Sequence, residues 1–133
     1  MPKPFPWLYP YAAEPVRRRG RDVLRPVVTV SIPGRLEAME PNWALVDSGS
    51  ENVFALDWLA DLAGIDLSAS LDRTLVGIGG QVVEVAYAEV ELRLHAPDGD
   101  DLVSWRADVG FVPQWRAPFP VVVGQLGFLD QFR

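Results

Sequence analysis

The residues with the clearest chemical potential are Trp43-Ala44-Leu45-Val46-Asp47-Ser48-Gly49-Ser50, where an apolar run ends in an acid, a hydroxyl and a glycine. A carboxylate placed where the chain should be buried must be paired, hydrogen-bonded or kept neutral by a shifted pKa, so an acid there calls for a reason. One reason is acid–base chemistry. Another is simply a strand running into a turn, since Asp, Ser and Gly are ordinary turn formers, and on these residues alone that reading does equally well. Ser48 is not set in a Gly-x-Ser-x-Gly elbow and has no base near it in sequence, which argues against a serine hydrolase. His95 is the only histidine. It closes a long alternating segment beside Pro97-Asp98-Gly99 and reads as an exposed strand-end residue. The absence of cysteine removes disulfides, thiolate catalysis and cysteine-ligated zinc. Asp98, Asp100 and Asp101 read as a solvated hairpin rather than a cation cage. Gly77-Ile78-Gly79-Gly80 lacks the Lys-Ser/Thr ending of a phosphate loop and precedes a strand pattern, so it reads as a flexible hairpin tip.

These groups have to be positioned by one domain, because 133 residues support a single sizeable core. The net charge of −6 disfavours nucleic acid, which needs a basic stripe. Arg17, Arg18, Arg19 and Arg21 lie in a Pro-rich N-terminal segment that reads as a solvated arm. Prolines 2, 4, 6 and 10 interrupt any signal-like apolar region, and no run is long enough to span a bilayer, so the expected location is cytoplasmic. We divide the chain into an arm, residues 1–24, whose Phe5, Trp7, Tyr9 and Tyr11 are expected to pack on the domain, and a domain, residues 25–133.

Alternation of side chains predicts strands over 25–32, 43–46, 75–78, 81–95, 103–111 and 121–123. From Asn52 the period changes: Leu56, Leu59, Leu62 and Ala63 share one helical face, with Asp57 as N-cap and Gly64 as C′ residue. Residues 125–132 are expected to add a last helical turn or two. The fold class is therefore all-β, a sandwich or barrel with one internal helix and a short C-terminal helix.

Three segments in order carry a resemblance: Leu45-Val46-Asp47-Ser48-Gly49-Ser50, then Gly77-Ile78-Gly79-Gly80, then Val122-Val123-Gly124-Gln125-Leu126-Gly127-Phe128-Leu129. Over roughly residues 27–132 the chain resembles the retropepsin-like, single-domain aspartic proteases. The resemblance implies a closed acid-protease barrel in which Asp47 is catalytic, Ser48 and Gly49 support it, and Gly77, Ile78, Gly79 and Gly80 tip a flap over the substrate. It places Leu45, Ser50, Glu51, Phe54 and Val122 around a peptide-binding cleft. It implies no cofactor and no metal. One Asp per chain is half of a catalytic pair, so a homodimer is required for activity; two close carboxylates cannot both ionise and share a proton.

Two departures bear on this. The family usually has Arg after the late glycine, paired with an acid near the active-site loop; here that position is Gln125, while Glu51 remains as the acid, expected to face substrate or solvent. Retroviral members also continue past the terminal helix into a strand that builds the dimer, whereas this sequence stops at Arg133, so another dimer contact is expected, with the aromatic arm as one candidate. The alternative is a retropepsin-fold peptide-binding or scaffold module that does not cleave. A third reading is a plain β-domain with a turn at Asp47.

Overall fold

The β-branched runs read from the sequence form a ring. In a computed structural model, which describes residues 7–13, 19–34, 41–78, 80–115 and 118–132, with Ile78 by its backbone alone, nine strands occur. They are β1 (Ala12–Ala13), β2 (Leu24–Arg25), β3 (Val27–Ser31), β4 (Asn42–Val46), β5 (Val53–Leu56), β6 (Arg73–Ile78), β7 (Gln81–His95), β8 (Leu102–Val112) and β9 (Val121–Val123). The order β3-β4-β9-β5-β8-β7 returns to β3 through a β3–β7 pairing, closing a six-stranded barrel. β6 hangs outside the ring on the first half of β7, and β1–β2 form a separate ribbon. Closure removes the unpaired edges that an open sheet of these strands would carry. No helix among the described residues is long and apolar enough to cross a membrane.

Alternate residues of the strands fill the barrel. Val30, Ala44, Val53, Ala55, Leu92, Val109 and Val123 are fully buried, and Val28, Val90, Phe111 and Phe128 join them in one cluster. Burial of each such side chain contributes about 1.5–3 kcal/mol for the larger residues, so this interior is the main source of stability. Trp7 and Tyr9 of the arm pack against the cluster, as expected. Tyr11 is exposed, and Phe5 lies outside the described residues.

The segment expected as one helix from Leu56 is two elements. Val53 to Leu56 is a strand with alternating burial, paired with both β8 and β9. The helix, α1, is only Trp58–Ala63, with Leu59, Ala60 and Ala63 buried and Leu62 exposed. Asp57 does occupy the N-cap position, but its side chain makes no capping bond. Gly64 ends the helix at φ 76°, where its N–H reaches the Ala60 and Asp61 carbonyls; this left-handed conformation favours glycine. At the end of the chain, the expected helix is a turn followed by a 3₁₀ turn, Leu129–Gln131. Pro26 divides the first predicted strand into β2 and β3, since it has no N–H to give to a ladder.

Candidate active site

Asp47 is the first residue beyond β4 and is exposed, not buried as the apolar run before it suggests. The chain turns at once: Ser50 N donates to the Asp47 carbonyl at 3.0 Å, and Gly49 N donates to Asp47 Oδ1 at 2.9 Å. This is an Asx-type turn, in which the carboxylate takes the place of a backbone acceptor. The turn reading of Asp-Ser-Gly is therefore correct locally. What it leaves out is how the turn is held.

β9 runs between the two strands that flank the turn. It pairs in parallel with β4 and antiparallel with β5. Asp47 N donates to the Val123 carbonyl at 2.9 Å, so β9 continues the ladder into the turn itself. Beyond it, Gln125 N donates to the Ser50 carbonyl at 2.9 Å and Leu126 N to the Glu51 carbonyl at 2.8 Å. Gly124 permits this approach: a Cβ there would lie 2.3 Å from the Ser50 carbonyl oxygen and 2.7 Å from that of Asn52. The late Val-Val-Gly segment and the Asp47 turn thus make one structural unit.

The apolar residues expected around a cleft fall in one row. Leu45 is opposite Val122, Val122 opposite Phe54, Phe54 opposite Gly110, and Gly110 opposite Tyr87, across β4, β9, β5, β8 and β7 in turn. Leu45, Val122, Phe54 and Tyr87 are each half-buried, on the face opposite the fully buried Ala44, Val53, Ala55, Val121 and Val123. By strand alternation, Asp47 continues the side of Leu45. Gly110 leaves a gap in the row that its neighbours fill. A Cβ there would lie 2.7 Å from Val85 Cγ1 and 2.9 Å from Phe54 Cδ1, and the Phe54 and Tyr87 rings approach to 6.4 Å between centroids. Tyr87 was not singled out from sequence. Its signal lay in the alternation of β7, where it shares a side with Val85 and sits opposite a glycine.

Ser48, Gly49 and Glu51 are exposed and Ser50 is half-buried, its hydroxyl donating to the Asn52 carbonyl at 2.8 Å. Gln125, at the position where the family usually has Arg, ties to the turn itself. Gln125 Nε2 donates to the Ser48 carbonyl at 2.8 Å, 77 residues away in sequence, while Glu51 is held through its main chain. Ile78 lies opposite Gln81 at the end of a β6–β7 hairpin whose turn includes Gly80 at φ 81°. Gly77 precedes the turn, and Gly79 falls outside the described residues. Leu75 and Val82 on this hairpin are 73% and 72% exposed.

His95 departs from its expected exposure. It is half-buried, with Nε2 2.7 Å from Oγ of the buried Ser31, and its carbonyl accepts the Tyr9 hydroxyl. Burial, followed by the nearby Arg93 charge, lowers the His95 pKa, and burial pushes that of Tyr9 up to about 12. These groups fasten the arm to the β3–β7 junction and belong to a region separate in the sheet from the Asp47 turn.

No model of a known protein family matches the chain, and no characterised protein matches it in sequence.

Proposed function

We propose that the protein is a retropepsin-type aspartic endopeptidase that works as a homodimer, each subunit supplying Asp47. The observation that carries this reading is the threading of β9 between β4 and β5, which clamps an exposed Asp-Ser-Gly turn from behind. β9 is itself a barrel strand, and the close-packed Gly124 and the main-chain bonds beyond it add a tie to the turn that closing the barrel does not require.

In this reading two Asp47 carboxylates share one proton. The ionised member takes a proton from a bound water, whose oxygen attacks the scissile carbonyl carbon, while the protonated member donates to the carbonyl oxygen. Collapse of the tetrahedral intermediate breaks the C–N bond, and a proton passes to the leaving amine. Ser48 supports the pair across the dyad, and Gly49 leaves room for substrate backbone. The row of Leu45, Val122, Phe54 and Tyr87 offers apolar contacts for an extended peptide, and the β6–β7 hairpin acts as the flap. A cytoplasmic setting, without nucleic acid or membrane, completes the proposal.

The test is cleavage of a peptide library at acid to mildly acid pH. Activity in the wild type that is lost in Asp47→Asn and blocked by a statine-type analogue is the expected result; activity surviving either change sinks the mechanism. The Asp47 Oδ1 bond to Gly49 N, satisfied within one chain, favours a second reading as a non-cleaving peptide-binding module. Sedimentation at micromolar concentration separates the two, because a strict monomer cannot assemble the pair.

A further inference from the structure

We propose that Gln125 is the positioning residue of the Asp47 turn, acting through a single peptide group, and that its uncharged amide keeps the turn ordered in acid. The kinetic part of this proposal rests on the endopeptidase reading; the structural part does not. The peptide joining Ser48 to Gly49 is held at both ends. Its carbonyl accepts from Gln125 Nε2 at 2.8 Å, and its N–H donates to Asp47 Oδ1 at 2.9 Å. A peptide group is planar and rigid, so the direction of the carbonyl sets the direction of the N–H. Hydrogen bonds at the two ends of one amide also polarise each other in the same sense. Gln125 therefore orients the Asp47 carboxylate without touching it.

The side chain is well placed to do this, because its own main chain is pinned. Gln125 N donates to the Ser50 carbonyl and its carbonyl accepts Asp130 N at 3.0 Å. The ionisable groups on the segments that meet it are Asp47, Glu51 and Asp130. Asp130 Oδ1 is occupied by Gly127 N at 3.1 Å, Asp47 Oδ1 by Gly49 N, and Glu51 is exposed. The Gln125 tie is amide to carbonyl and involves none of these carboxylates. An arginine–carboxylate tie at this place would be stronger while the acid is ionised and would itself lower the pKa of that acid, but it would be lost once the pH fell far enough to protonate it. An amide donor has no such limit.

The experiment compares the full-length wild type with Q125A and Q125E, reading peptide-cleavage kinetics and the hydrogen-exchange rate of the Gly49 amide from pH 7 downward. In Q125A we expect kcat to fall about 10- to 100-fold with KM nearly unchanged, and Gly49 exchange to quicken. In Q125E the ionised carboxylate cannot donate to the Ser48 carbonyl, whereas the protonated acid can. Its activity relative to wild type, and its Gly49 protection, should therefore rise as pH falls. Wild-type kcat and Gly49 exchange in Q125A overturn the proposal. If Q125A does not fold, the Q125E series decides: a ratio flat with pH overturns it and a rising one supports it. If the wild type cleaves nothing, the endopeptidase reading fails by itself. Gly49 exchange then decides the positioning role, with quicker exchange in Q125A supporting it and an unchanged rate overturning it.

Discussion

The Asp47 turn and the tip of the β6–β7 hairpin are both exposed, glycine-bearing reversals, yet they are held in opposite ways. The Asp47 turn is gripped by a strand and a loop from the far end of the sequence, through the main chain of Gly124, Gln125 and Leu126. The hairpin is tied chiefly to itself, along the β6–β7 register and through the Arg73–Glu84 ion pair at 3.0 Å, and its Leu75 and Val82 stand in solvent. Glycine has a different purpose in each. At Gly124 it removes a side chain for which there is no space; at Gly80 it supplies a positive φ; at Gly77 there is nothing within 4 Å of where a Cβ would stand. The contrast is between a turn tied across the sheet and a hairpin tied mainly within itself; on the endopeptidase reading proposed above, the second is the part that would move over substrate.

Five measurements would break or sharpen this contrast. The largest effect is expected from Asp47→Asn, which should lower peptide cleavage by at least about 10²–10⁴-fold while leaving the melting temperature nearly unchanged, since the exposed turn needs only an acceptor there. Next comes Gly124→Ala. Its Cβ would meet main-chain oxygens that cannot swing aside, so chemical denaturation should show a loss of about 3 kcal/mol or more. Gly80→Ala faces no clash, only the left-handed backbone at φ 81°, and should cost about 1 kcal/mol. Gly77→Ala, in extended backbone with open space, should stabilise by about 0.5 kcal/mol through a less flexible unfolded chain. One substitution would thus give three outcomes at three glycines. Equal losses at Gly124 and Gly77 would erase the distinction between the two regions.

The last measurement is a slope rather than a step. His95 has a folded-state pKa below its ordinary 6.5, first through burial and then through Arg93. The unfolded chain therefore binds more protons between the lowered value and 6.5. Stability from this group is complete above 6.5, is lost as pH falls towards the lowered value, and changes no further below it. Thermal melts across that window should flatten in His95→Gln. Because His95 lies at the β3–β7 junction, the slope should appear in global stability and not in Gly49 exchange.

Much of this was legible in the sequence where the physical signal is local. The alternation over Gln81–His95 and the apolar Val121–Val123 mark strands at those bounds, and Gly64 ends α1 as a C′ glycine should. The all-β class follows from the same periodicity, which left sandwich and barrel both open; closure into a barrel is decided by the β3–β7 pairing. The failures are where one period shades into another. Leu56 falls in helical step with Leu59, so β5 was absorbed into the helix, although Val53 and Ala55 alternate with Phe54 and Leu56. Short leucine-rich windows fit both templates, and here pairing with β8 and β9 decides. At the candidate site, the Asp47 turn was legible from its residue types, whereas the alignment of Leu45, Phe54 and Val122 in one row emerges only from the strand register. Tyr87 was not legible, because it enters only through register across Gly110. The tie at Gln125 was not legible for a related reason: the absence of a charge shows in the sequence, while an amide reaching a carbonyl 77 residues away does not.

The threading of β9 also orders events in time. The Asp47 turn and both strands beside it leave the ribosome well before residues 121–126, which hold them together. Contacts of such long sequence separation form slowly and late, after the closure of a large loop. A chain interrupted anywhere before Val121 would carry the acid, the hydroxyl and the glycine with nothing to hold them in place. Order at this turn is thus a property that the polypeptide acquires only once residues 121–126 have been made.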